Sequence, residues 1–196
     1  ISIHWDAKNP KHRKEGIYLL ACGSEGEVSK QFAQSSCFNY IEVPNEPLSQ
    51  KINALFLEAK KYDPDMVIIP GSDDLVHENI IQYYRKNYPS TADFVLGLKE
   101  IYFHNISTGA SSLFTGWPPP GIPKTVGPTR VFSRKVLERL NYSPLGDRYE
   151  RRGIDTALTS AMKKRLIEEV AISQDMTGGI ALDIKFPGVG LTSFER

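Results

Sequence analysis

Two adjacent carboxylates, Asp73 and Asp74, follow directly on the apolar run Met66 to Ile69 and the turn Pro70-Gly71-Ser72. In open α/β sheets, ligands gather at the carboxyl ends of strands. Paired carboxylates there are costly unless a cation neutralises them. Mg²⁺ or Mn²⁺ holding a diphosphate is the expected neutraliser, because hard ions bridge carboxylates and phosphate oxygens. The alternative is that one of the two acids caps the amphipathic segment that follows.

Other candidates are spread along the chain. Asp155, in Arg152-Gly153-Ile154-Asp155-Thr156, stands at a helix start, where a carboxylate can act as general base to an acceptor hydroxyl. Capping, or favourable placement at the positive helix end, is the competing reading. Gly127-Pro128-Thr129-Arg130 joins a backbone turn to a guanidinium able to clamp phosphate, or is an ordinary turn before a strand. Asp183 could supply a third metal ligand or be an edge-strand surface acid. Lys51 and Asn53, early in the helix after Pro47, face either a nucleotide or solvent.

These residues need a scaffold. Gly16–Cys22, Phe38–Val43 and Met66–Ile69 are short apolar runs expected as strands buried on both faces. Glu27–Gln34 has helical character, and Leu48, Ile52, Leu55, Phe56 and Ala59 recur at helical spacing, predicting a helix over 48–62. A further helix is expected over 77–88, with strands at 94–98 and 99–103. Arg130–Leu140 reads as strand then helix, with Ser133 as N-cap. A helix over 154–166 and strands at 170–172 and 180–184 complete the pattern. Alternating strands and helices predict a mostly parallel α/β sheet flanked by helices. Asn105 to Pro128, with five prolines, four glycines and Trp117, is expected as a long functional loop.

Composition narrows the class. The 196 residues fit one domain with a real core, and a net charge of +1 gives no global pull towards nucleic acid or an anionic membrane. The Lys- and Arg-rich stretches Lys8–Lys14 and Arg148–Arg152 are local, and solvated faces account for most such runs. No apolar stretch approaches the ~20 residues that span a bilayer, and no secretory signal is visible, so a cytoplasmic setting is expected. Cys22 and Cys37 lack metal-ligand spacing and are expected as reduced core residues. His4, His12, His77 and His104 show no paired spacing for zinc. GxGxxG, P-loop and GxSxG motifs are absent. The chain opens at Ile1 without methionine, as a fragment or a processed product would.

In order, Val43-Pro44-Asn45, Lys51-Ile52-Asn53-Ala54, Gly71-Ser72-Asp73-Asp74, Gly127-Pro128-Thr129-Arg130 and Gly153-Ile154-Asp155 resemble the nucleotide-sugar-dependent glycosyltransferases of the GT-A fold, family 2 above all. The resemblance covers roughly residues 17 to 185. It implies a Rossmann-related GT-A domain without the family's usual first strand, and inverting, metal-assisted sugar transfer. Asp73 then matches the metal-binding acid, with Asp74 beside it, and Asp155 the catalytic base. Gly71 stands where the family's earlier acid stands. The partners implied are a nucleotide-sugar donor and an acceptor of open identity: glycan, protein, small molecule or modified nucleobase. A nucleotidyltransferase and a non-catalytic binding domain on a degenerate transferase scaffold are the alternatives.

Overall fold

The computed structural model describes residues 16–117, 124–147 and 153–186. The basic stretches Lys8–Lys14 and Arg148–Arg152, His4, His12 and part of the expected long loop lie outside them.

The described residues hold ten strands and five α-helices. β1 (Leu20–Gly23), α1 (Glu27–Ser35), β2 (Asn39–Glu42) and α2 (Leu48–Ala59) open the order, and β3 (Met66–Ile68), β4 (Asp74–Val76) and α3 (Glu78–Asn87) follow. The middle holds β5 (Phe94–Leu98), β6 (Ile101–Asn105), β7 (Ser111–Phe114), β8 (Val131–Ser133) and α4 (Arg134–Arg139). α5 (Ile154–Lys164), β9 (Glu168–Ile172) and β10 (Ala181–Lys185) end it. β1 and β2 form a parallel pair. The larger sheets run β3-β8-β5-β9 and β4-β10-β6-β7.

The chain is therefore α/β, but its sheets are mixed rather than mostly parallel. β8 lies antiparallel to both β3 and β5, while β9 is parallel to β5. In the second sheet β10 is antiparallel to β4 and parallel to β6, and β6 is antiparallel to β7. An apolar strand covered on both faces has the same composition in either direction, so composition does not record the reversal.

Side-chain alternation explains the layering. Val95 and Phe132 point from the β3-β8-β5-β9 sheet into a core shared with Phe56 of α2, Val136 and Leu137 of α4 and Met162 of α5. Their neighbours Leu96, Leu98 and Val131 point the other way, against Ile80 and Tyr84 of α3 and against Val76, Ala181 and Ile101 of the second sheet. One sheet thus carries helices on one face, and α3 with the second sheet on the other. Two elements differ from expectation. β4 begins at Asp74, so His77 rather than Asp73 or Asp74 caps α3, its Nδ1 accepting from Asn79 N–H at 3.1 Å. β7 lies inside the expected loop and pairs with β6 as a hairpin. Ser133 caps α4 as expected, accepting from Val136 N–H at 3.1 Å. Cys22 and Cys37 are free and half-buried rather than core residues.

Candidate functional site

The antiparallel register sets Asp74 directly opposite Asp183, and Asp73 precedes Asp74 at the strand end. Like charges in directly opposed positions repel. Each of Asp73, Asp74 and Asp183 offers one oxygen, all within 4.8 Å of one another. The structure answers that repulsion from inside. Lys185, two residues along β10, sets its Nζ 2.6 Å from Asp183 and 3.8 Å from Asp73. Asp74, only 5% exposed, receives the Gly71 N–H on Oδ2 at 2.6 Å. A Cβ at Gly71 would lie 2.5 Å from that oxygen, so this close turn requires glycine.

A cation suits the cluster. When all three acids are ionised, three carboxylates and one ammonium leave two negative charges, the complement of a divalent ion. Asp183 Oδ1 is buried, and the group it faces is the Lys185 ammonium at 2.6 Å. Neighbouring oxygens on Mg²⁺ stand about 3 Å apart, so the three acids would have to draw together to share one ion.

Burial, then the charges of Asp183 and Asp73, push the Asp74 carboxyl up to about 7, against a Gly71 hydrogen bond and Lys185 that pull it down. Asp183 is raised too, by burial first and Asp73 second, with Lys185 opposing. Because the native Asp74 pKa exceeds the unfolded one, its contribution is fully present below about pH 4. It is lost as pH rises through 7, a change on the order of 4 kcal/mol. Urea unfolding under chelation is therefore expected to give lower stability at pH 8.5 than at pH 5, and saturating Mn²⁺ should abolish the difference. A stability that does not fall over that range sinks the charge assignment.

Asp155 sits in the first turn of α5, but it does not cap the helix. Gly153 is the N-cap residue, with φ +69°, and it makes no side-chain cap bond. The carboxylate instead meets Arg130 Nη1 at 3.0 Å. Arg130 is 1% exposed; its Nε reaches Glu169 Oε1 at 3.1 Å and Thr125 Oγ1 at 2.9 Å, and its Nη2 donates to the Thr125 carbonyl at 3.0 Å. Thr159 of α5 donates to the second Glu169 oxygen at 2.8 Å. The expected phosphate clamp is thus engaged inside the protein, where its charge balances two carboxylates. Gly127 permits the approach, since a Cβ there would lie 2.3 Å from Asp155 Oδ1. Its 3-10 turn, Gly127–Thr129, is pinned by Tyr84 donating to the Thr129 carbonyl and by Thr129 Oγ1 accepting from Leu98 N–H.

These parts converge. One open cleft of about 160 Å³ is lined by Gly71 and Asp74 together with Gly127, Arg130 and Asp155, with Ile52, Ile69 and Phe132 among its apolar walls. That volume is below the roughly 300 Å³ where drug-sized pockets begin, so a nucleotide-sized ligand must extend beyond it. Lys51 and Asn53 are not in the cleft lining. Lys51 Nζ donates to Ser24 and Asn45, tying together the loops after β1 and β2. Asn53 bridges the 145–146 backbone, donating to the Gly146 carbonyl and accepting from Leu145 N–H. An amide joined to that backbone at both ends holds the loop in place.

Glu169 and the paired role of Lys185 escape sequence reading. Glu169 faces the helix side because it pairs with Val95 in the β5–β9 register, and that register is not written in local composition. For Lys185 a signal exists: a cation two residues from Asp183 in a strand must share its face. No protein-family model matches the chain, and no curated protein sequence matches it.

Proposed function

We propose that the chain is a nucleotide-sugar-dependent glycosyltransferase of the GT-A type, moving a sugar from a nucleoside-diphosphate donor to a hydroxyl acceptor. The observation that carries this reading is the single cleft onto which Asp74, at a strand end, and Asp155, at a helix start, both open. Sugar transfer needs a diphosphate holder and a proton acceptor on either side of one carbon.

Asp73, Asp74 and Asp183 are the residues that would hold Mn²⁺ or Mg²⁺, which when bound neutralises charge on the departing diphosphate. The chain's own groups do the rest. Lys185 keeps the three acids compatible and adds a positive charge beside the donor. Arg130 holds Asp155 Oδ1, leaving Oδ2 to take the acceptor proton. As that O–H bond breaks, the acceptor oxygen bonds to the anomeric carbon and the carbon–oxygen bond to the diphosphate breaks. The nucleoside diphosphate leaves, and attack from the opposite side inverts the centre.

A non-catalytic binding domain on the same scaffold is the second reading, favoured by Gly71 at the position of the family's first acid and by the Arg130 pairing of Asp155. Thermal denaturation with Mn²⁺ and UDP or GDP tests the first part. A rise of about 5–10 °C at a hundredfold excess over Kd is expected, and only with metal present. No shift with either nucleotide defeats the donor assignment. A nucleotide-sugar panel scored for released diphosphate then separates the two readings, since the binding domain releases none.

A further inference from the structure

Strand register puts more than acids on the face that bears the cluster. Asp74, Asp183, Phe103 and Ser112 occupy one row across β4, β10, β6 and β7, so their side chains leave the sheet on the same side. Lys185 shares that face, two residues from Asp183, with Nζ 5.2 Å from the Phe103 ring centre. Phe114 shares it as well, because its partner Ile101 lies two residues before Phe103. The Phe103 and Phe114 ring centres are 6.1 Å apart.

Trp117 extends this row outward. Its indole lies 5.1 Å from Phe114 at 72° and is 50% exposed. The turn that returns it is built for the purpose. Gly116 has φ +102°, and a Cβ there would lie 2.9 Å from the Lys99 carbonyl oxygen, so only glycine lets the chain fold back at this point. Aromatic groups therefore run without a break from the ammonium in the acidic cluster to a half-exposed indole at the sheet edge, with the Ser112 hydroxyl exposed in the same row.

We propose that Trp117, braced edge-on by Phe114, forms a carbohydrate-binding platform at the β7 edge of the sheet, two strands from Asp183, which takes the apolar face of a pyranose ring. This rests on the transferase reading for its substrate class. A pyranose pairs a C–H face with a rim of hydroxyls, which matches an aromatic wall flanked by Ser112 and a charged cluster. Such a ring arrives either on the donor or as a free glycan acceptor, and both present the same surface.

Trp117 emission, read in a Trp5→Phe protein so that one indole reports, distinguishes the sources. Free oligosaccharides and nucleotide sugars are titrated in parallel with the bare nucleoside diphosphate, all with Mn²⁺. A change with free oligosaccharide places an acceptor on the platform, and a change with nucleotide sugar but not with nucleoside diphosphate places the donor sugar there. In a calorimetric titration Trp117→Ala is expected to weaken the responding sugar by about tenfold, while nucleoside diphosphate affinity is unchanged. Trp117→Phe should restore part of the loss. Sugar affinity unaltered in Trp117→Ala, a full response to nucleoside diphosphate alone, or no response to any sugar overturns the platform. If nucleoside diphosphate fails to bind while a glycan still moves the indole, it is the donor assignment that fails.

Discussion

Replacing Arg130 with methionine is expected to lower the unfolding free energy by about 3–5 kcal/mol. Methionine keeps much of the apolar stem but removes the charge between Glu169 and Asp155. Asp155 is 43% exposed and water can take over part of its solvation, whereas the Glu169 side chain is 5% exposed and cannot be rehydrated. Thr125 and Thr159 still donate to Glu169, but two neutral donors do not offset a buried charge. The paired replacement Arg130→Met with Glu169→Leu should recover most of the loss, because no orphaned charge then remains. Urea unfolding of the wild type, the single and the double variant reads this out. A single-variant loss below about 1 kcal/mol, or a double variant no better than the single, would show that the guanidinium does not hold a desolvated acid.

Asp155→Asn is expected to cut sugar transfer by about 10²- to 10⁴-fold, the size of a positioned general base. Asparagine matches the shape of the carboxylate, and its amide oxygen can accept from Arg130, so the α5 start and the cleft wall keep their form. Nucleoside diphosphate affinity in Mn²⁺ should stay within about twofold, because Asp155 is not part of the Asp73, Asp74 and Asp183 cluster proposed to hold the ion. Released diphosphate gives the rate and calorimetry the affinity. Transfer at the wild-type rate removes Asp155 from the chemistry. Lost nucleotide binding would mean that its pairing with Arg130 is architectural.

Much of this site is legible as local pattern. The strand before Asp73 and Asp74, the helix bearing Asp155 and the Ser133 cap are each set by neighbours a few residues away, and such signals survive folding. What local pattern leaves open is pairing. Asp183 reads first as a surface acid and only second as a ligand until the register with β4 sets it against Asp74. Arg130 looks like a phosphate clamp in its own turn, and only the β5–β9 register brings Glu169 to claim it. The ties made by Asn53 and Lys51 are hidden for a related reason: Gly146 and Ser24 are 93 and 27 residues distant, beyond any window of composition. The β6–β7 hairpin was hidden by the glycines and prolines around it, which mark turns but also mask the short strand between them.

The pairing of β4 with β10 has a consequence for biosynthesis. A nascent chain that has emerged through β4 carries Asp73 and Asp74 side by side, with neither the opposing acid nor the ammonium that reconciles them. The acidic cluster is complete only after β10 has left the ribosome, so a metal held by all three acids would be loaded late. A chain interrupted between Ile172 and Ala181 would retain every strand of the β3-β8-β5-β9 sheet and yet lack Asp183 and Lys185, which complete the acidic cluster.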